Sequence, residues 1–284
     1  MIQIRLMTAR DLPLGMRLKD QAGWNQTGAD CQRLLDLQPD GCFVAELDGV
    51  PVGTTATCAF GPVAWVALVL VEESVRGRGI GTALMRHALA FLDRQGVRTV
   101  RLDATPLGRP LYAKLGFVEE YLLHRYAGVL PPAGETTARH DEGPVRTARP
   151  EHLDGVFQLD RAITATDRQK LLRRLFTERP EAGRVVAGED RVRGYLCWRP
   201  GSKAVQIGPC LALGEAGPLL LADAWRRQAG QCVFIDIPAG NTAAVAAATA
   251  QGLTAQRPLL RMCRGPRLDE RFTEIWASSG PEKG

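Results

Sequence analysis

The sequence predicts two copies of one mixed α/β (α+β) unit in tandem, on three observations. Strand-like and helix-like runs follow the same order twice along the chain. Between Gly128 and Gly143 the composition shifts to Pro, Gly, Thr and charge, including Pro131-Pro132 and Gly134, which reads as a linker. Local sequence also recurs: Val100-Arg101-Leu102-Asp103 parallels Val233-Phe234-Ile235-Asp236, and Leu115-Gly116-Phe117 parallels Gln251-Gly252-Leu253. A chain of 284 residues is comfortable for two domains. The expected division is 1–130, a linker over 131–143, and 144–284.

In the first copy the periodicity predicts a strand at Gln3–Met7, a helix opening near Asp11 and a second helix over Asp30–Leu37. Cys42–Glu46 and Pro51–Phe60 read as two strands joined by the turn residues Asp48-Gly49. Trp65–Val71 is a continuous apolar run, the mark of a buried central strand. The segment Thr82–Leu92 is helical and, with Ile80, places Leu84, Ala88 and Leu92 on one face before Gly96 closes it. Val97–Ala104 is the next strand, Gly108–Leu115 a short helix stopped by Gly116, and Phe117–Arg125 a returning strand. In the second copy, strands are expected at Pro144–Thr147, Arg184–Ala187, Val192–Trp198, Val205–Gly208, Val233–Ile237 and Pro258–Arg264. Gly188-Glu189-Asp190 is a turn between two of them. Helices are expected at Glu151–Ala162, Asp167–Glu178, Ala216–Gln228 and Asn241–Gln251.

Composition narrows the function classes. At 45% hydrophobic and 24% charged residues this is an ordinary globular protein, and no apolar run approaches the roughly 18 residues a membrane span needs. Met1-Ile2-Gln3-Ile4-Arg5 has no basic segment followed by an apolar stretch, so no secretion signal is expected. The seven cysteines, Cys31, Cys42, Cys58, Cys197, Cys210, Cys232 and Cys263, are dispersed and form no C-x-x-C pair. They read as reduced buried thiols in a cytoplasmic protein, with no metal site. The net charge of +5 is mild and mostly arginine, without the basic, aromatic-interleaved blocks of a nucleic-acid binder.

Val75-Arg76-Gly77-Arg78-Gly79-Ile80-Gly81-Thr82 carries the most chemistry. A glycine-rich turn between a buried strand and a helix leaves backbone N–H groups aimed at one spot with no intrahelical partner. Glycine admits the required φ values and leaves room for a bulky anion, and the helix dipole and flanking arginines favour negative charge. The chemistry is pyrophosphate binding. A phosphate loop of the Gly-Lys-Ser/Thr type is absent, and the spacing and position are wrong for a dinucleotide fingerprint, because three strands precede the strand feeding this turn.

Arg76-x-x-Gly79-x-Gly81 matches the [Q/R]-x-x-G-x-[G/A] motif of the GNAT acyltransferase superfamily. The downstream segment Asp103-Ala104-Thr105-Pro106…Gly108-Arg109-Pro110-Leu111-Tyr112-Ala113-Lys114-Leu115-Gly116-Phe117 also resembles the segment after that family's cofactor site. The resemblance covers residues 1–127 with matched motifs and the second half in element order only. The whole is similar to a bacterial subgroup in which an intact GNAT unit precedes a degenerate one. It implies a mixed, mostly antiparallel sheet flanked by helices in each domain, with acetyl-CoA as co-substrate of an N-acetyltransferase. Backbone amides from Arg76, Gly77, Arg78, Gly79, Ile80, Gly81 and Thr82 would hold the phosphates. Groups around Val69 and Val71 would pair with the pantetheine arm as an added strand does, and a strand N–H there would polarise the acetyl carbonyl. Tyr112 would protonate the departing thiolate.

The acceptor is expected to be a primary amine of a small molecule that attacks the thioester directly. Trp24, Asn25 and Gln26, after the first helix, would line its pocket, near the loop where the family's acceptor site lies. The general base stays open among Glu46, Glu72, Glu73 and Asp103, each of which is equally a strand-end surface charge, and His87 and His124 read as surface and strand residues. Cys31 and Cys58 have no recognisable histidine partner that would make either a nucleophile. In the second copy Pro209-Cys210-Leu211-Ala212-Leu213-Gly214-Glu215-Ala216 lacks the glycine constellation, and Ala248 stands where the first copy has Tyr112. That copy reads as structural or as a contributor to the acceptor pocket. The alternative functions are a catalytically inactive acetyl-CoA- or metabolite-binding regulatory module and an assembly subunit. Oligomeric state is not legible.

Overall fold

The computed structural model describes residues 1–132, 143–188 and 190–282. The expected linker therefore lies almost wholly outside the described residues, as does Glu189 of the expected turn. The chain forms two compact units: one of Met1–Glu120, Arg261–Arg267 and the chain from Pro281, the other of Tyr121–Leu260 and Leu268–Gly280. Each unit takes a segment from the other half of the sequence.

The first unit opens with β1 (Ile2–Leu6), α1 (Leu12–Gln21) and α2 (Gly28–Leu37). The start of α2 is set by Thr27, whose hydroxyl accepts from the Asp30 amide while the Asp30 carboxylate accepts from the Thr27 amide, a reciprocal cap. β2 (Cys42–Leu47), β3 (Val50–Phe60) and β4 (Val63–Val71) follow as antiparallel neighbours. Asp48 and Gly49 both take left-handed φ values of 52° and 81° at the β2–β3 hairpin, the geometry that matches strand twist. α3 (Ile80–Arg94) buries Ile80, Leu84, Ala88 and Leu92, the face that the periodicity predicts. Then come β5 (Thr99–Ala104), parallel to β4, and α4 (Arg109–Lys114). On the other face of the sheet, Leu14 and Leu18 of α1 pack with Val44 and Leu70, and Trp24 lies against this cluster.

β6 (Val118–Val129) leaves the first unit after Glu120, and the rest of it pairs antiparallel with β11 (Cys232–Pro238) in the second. That unit also holds β7 (Val145–Thr147), α5 (Leu153–Thr164), α6 (Gln169–Glu178), β8 (Arg184–Ala187), β9 (Val192–Arg199), β10 (Val205–Ala212), α7 (Ala216–Arg227) and α8 (Thr242–Ala250). Its strands run in the order β6, β11, β10, β9, β8, β7, with only β10 and β11 parallel. β12 (Thr254–Arg264) starts in this unit, and its last residues, from Arg261, belong to the first, where β12 neighbours β5. A short strand, β13 (Ile275–Ala277), is added at the end. Each unit is thus a mixed, mostly antiparallel sheet flanked by helices.

The exchanged strands carry matching buried ion pairs. Arg261 of β12 donates Nε and Nη2 to the Asp103 carboxylate at 2.9 and 3.0 Å. Arg125 of β6 donates the same atoms to Asp236 at 2.8 and 2.7 Å. Asp103 and Asp236 end the two parallel sequence segments noted above.

Six of the seven cysteines are buried and all seven are free thiols; Cys232 departs from expectation by being exposed. Burial pushes the Cys42 thiol up to about 12 and the Cys263 thiol up to about 11, so neither ionises near neutral pH.

Candidate functional site

The turn after β4 has the conformation its glycines allow. Gly77 and Gly79 both sit at φ 80°, and Gly79 caps α3 in the left-handed region. A Cβ on either would stand in open space, so the turn is uncrowded at both positions. The first helical bond of α3 runs from the Ala83 amide to the Gly79 carbonyl at 2.9 Å, and the amides of Gly77 through Thr82 donate to no backbone carbonyl among the described residues. This row of unpaired donors sits at the positive end of a 15-residue helix, a geometry that favours negative charge. Arg76 folds back instead, donating Nε to the Val71 carbonyl at 3.1 Å and lying 3.4 Å from the exposed Glu73 carboxylate. Arg78 stays exposed.

β4 presents open backbone to the same region. Its parallel pairs with β5 are Val63↔Thr99, Ala64↔Val100 and Trp65↔Arg101, at the start of both strands. Its antiparallel ladder with β3 slips between Ala56↔Ala67 and Thr54↔Leu70, so Leu68 and Val69 oppose the single residue Thr55. Leu68 takes φ 50°, and its carbonyl accepts from the Thr54 hydroxyl at 3.0 Å. A β-bulge re-aims the backbone beside it, here at Val69. Sequence reading names the backbone at Val69 and Val71 but does not foresee the bulge, because nothing in an all-apolar run marks where a ladder slips.

The helix start, the strand end and α4 converge. A Cβ on Gly81 would lie 3.5 Å from Leu111 and 3.9 Å from Val71. Beside Leu111, the Tyr112 ring packs near Phe117, at 6.0 Å between centroids, and so close to Gly108 that a Cβ there would sit 2.8 Å from it. The Tyr112 hydroxyl makes no hydrogen bond among the described residues. Burial of the ring pushes its pKa up to about 12, so the phenol keeps its proton across the neutral range.

On the opposite face of the sheet, Trp24 reaches the cluster containing Leu70, while Asn25 and Gln26 are buried. Gln26 Nε2 donates to Glu282 Oε2 at 3.0 Å, and Trp65 Nε1 donates to the Pro281 carbonyl at 3.2 Å. Glu282 is a residue that sequence reading missed, because nothing local in the tail marks a segment that returns across 256 residues. A crevice of about 10 Å³ lined by Gly15, Leu34, Cys42, Thr54, Leu68 and Leu70 lies under the bulge, room for about one water.

The carboxylates weighed as bases are all engaged. Glu46 accepts from Arg5 at 2.7 Å, and Asp103 is clasped by Arg261. Glu72 accepts from Gln21 and from Arg17, contacts that hold its carboxyl below the usual range. His87 meets Phe43 edge to face at 4.6 Å, and burial lowers its pKa.

The second unit is built differently where the first has its turn. Past the parallel pairs Val205↔Val233 to Ile207↔Ile235, β13 pairs with β10 through Cys210↔Ala277 and Leu211↔Ile275, and the Ser278 amide donates to the Asp236 carbonyl of β11 at 2.8 Å. The chain's own strand therefore lies beside β10 where the first unit leaves β4 open. A Cβ on Gly217, at the start of α7, would lie only 1.9 Å from Trp276. Backbone donors are engaged here too, the Ala216 amide with Leu213 at 3.3 Å and the Gly217 amide with Gly214 at 3.4 Å.

The first unit thus combines a mixed sheet, a glycine turn whose amides have no backbone partner at a helix start, and a bulged strand beside it. The family follows from comparison. Residues 10–117 match the model described as "Acetyltransferase (GNAT) family", and residues 156–277 match "Acetyltransferase (GNAT) domain". The chain belongs to the GNAT acetyltransferase superfamily as a tandem two-domain member. The uncharacterized N-acetyltransferase YitH of Bacillus subtilis is 24% identical, over 72% of this chain and 76% of its own length. An uncharacterized N-acetyltransferase of Methanocaldococcus jannaschii is 35% identical over 31% of this chain, which spans 43% of that relative. Among solved structures, a putative acetyltransferase from Pyrococcus horikoshii superposes with a TM-score of 0.83 at 25% identity, covering 100% of this chain and 96% of its own. A tandem GNAT protein from the clavulanic acid biosynthesis pathway gives a TM-score of 0.62 at 18% identity, covering 94% and 100%; it supports the fold.

Proposed function

We propose that the protein is an acetyl-CoA-dependent N-acetyltransferase that moves an acetyl group to a primary amine of a small molecule. The observation that carries this reading is the run of unpaired amides from Gly77 to Thr82 at the start of α3. Those amides, with the exposed Arg76 and Arg78 side chains nearby, would hold the pyrophosphate, and the backbone of β4 at Val69 and Val71, where Arg76 Nε occupies the Val71 carbonyl, would hold the pantetheine arm. When bound, acetyl-CoA supplies an activated thioester that the amine attacks directly, with no acyl-enzyme. The strand amide beside the bulge stabilises negative charge developing on the acetyl oxygen. The protonated Tyr112 phenol donates to the departing sulfur. Trp24, Asn25 and Gln26 line the amine side.

We keep 1–130 as the catalytic domain in sequence terms, 131–143 as the linker and 144–284 as the degenerate domain. The blocked turn and the added β13 support one cofactor site per chain. No helix among the described residues is long and apolar enough to cross a membrane. The dispersed free thiols, most of them buried, favour a cytoplasmic setting.

Calorimetric titration with acetyl-CoA is expected to give one site, and thiol release across a panel of small primary amines should identify an acceptor. Binding without turnover on any amine would reduce the protein to a cofactor-binding module. A stoichiometry of two would overturn the blocked second site.

A further inference from the structure

Gln26 and Glu282 are 6% and 2% exposed, and both belong to the first unit. A carboxylate only accepts hydrogen bonds, so the Gln26 amide must turn its NH₂ toward Glu282; the flipped amide would set a carbonyl against the carboxylate. The consequence falls on the other end of the amide. Gln26 Oε1 is buried and has no hydrogen-bond partner among the described residues. An acceptor held in that state calls for a donor that arrives from outside. The amide stands beside Trp24, in the loop read above as the amine side.

We infer that Gln26 Oε1 accepts a hydrogen bond from an N–H of the acceptor amine, and that Glu282 is a positioning residue holding the Gln26 amide in the orientation that offers this oxygen. The inference rests on the reading of residues 24–26 as the acceptor side. It makes the far end of the chain part of amine recognition in the first unit, and it selects primary or protonated amines over groups that lack an N–H.

The test uses the full-length protein with butylamine, 1,4-diaminobutane and glucosamine as acceptors, the best of them being carried through the variants. Gln26→Leu removes the oxygen and Glu282→Ala removes its support. Each is expected to raise the KM of the amine about tenfold while kcat and the KM of acetyl-CoA stay close to wild type, with a modest fall in Tm from the lost buried hydrogen bond. Glu282→Gln still offers an oxygen to Gln26 Nε2, and it should restore the wild-type amine KM. An unchanged amine KM in Gln26→Leu overturns the inference, since the oxygen then serves water at most. A parallel loss of Tm, kcat and acetyl-CoA affinity overturns it in favour of a structural contact. If wild type binds acetyl-CoA but acetylates none of the three, the proposed function fails instead. The inference is then decided by calorimetry of the same amines: weaker binding to Gln26→Leu than to wild type sustains it, and equal or absent binding overturns it.

Discussion

At the scale of single residues, burial and partner decide what each group does. Tyr112 is the clearest case: two neighbours, Gly108 and Phe117, hold its ring, no group among the described residues takes its hydroxyl, and its raised pKa keeps it protonated. Tyr112→Phe is expected to lower kcat roughly 10²-fold while leaving the acetyl-CoA KM near wild type. Equal turnover would remove the phenol from the chemistry. Asp11 shows the same logic in stability. Its carboxyl is held at about 2, chiefly by hydrogen bonds from Arg5 at 2.8 and 2.9 Å and also from the Thr8 amide and hydroxyl. A lowered carboxyl pKa adds stability that is present above its ordinary value near 4 and lost as pH falls toward about 2. After solvent screening that contribution is about 1–2 kcal/mol. Asp11→Asn should therefore lower Tm at pH 7 and flatten its fall between about pH 4 and pH 2; a parallel wild-type and mutant profile would exclude the account.

At the scale of elements, the turn into α3 joins sequence to site most directly. Left-handed backbone at Gly77 and Gly79 exposes the amides, and glycine is the residue that adopts it without strain. Gly79→Ala has open space for its methyl, so its cost is conformational, about 1 kcal/mol, and the fold should survive. The acetyl-CoA KM should rise about tenfold with a much smaller effect on kcat, read by steady-state kinetics; an unchanged KM would separate the turn from cofactor binding. Much of this element was legible in advance. The glycine spacing, the strand before it and the amphipathic face of α3 are all local patterns. The bulge at Leu68 and the placement of β13 beside β10 were not, because both depend on which strand lies alongside.

At the scale of the whole molecule, neither compact unit is a simple half of the chain. The first is completed by residues 261–267 and the second by the strand from Tyr121, and each exchanged strand brings an arginine to a buried aspartate. Arg261→Met would remove the guanidinium that clasps the Asp103 carboxylate, at a cost of roughly 3–5 kcal/mol. Adding Asp103→Leu should recover most of that. A fragment of residues 1–130 lacks this strand and is expected to show no cooperative thermal transition, whereas co-expression with 144–284 should restore one. Cooperative melting of 1–130 alone would refute the dependence.

The sequence by itself determined the repeated order of elements, the phosphate-type turn, the family resemblance and the loss of that turn in the second copy. Each is written in residues close along the chain, where periodicity and glycine spacing act directly on the backbone. Tertiary structure alone decided which strands each unit owns, that Trp276 and β13 occupy the corresponding ground in the second unit, and that Glu282 reaches Gln26. Those outcomes depend on pairings between residues far apart along the chain, and local composition carries no record of a partner that only folding supplies.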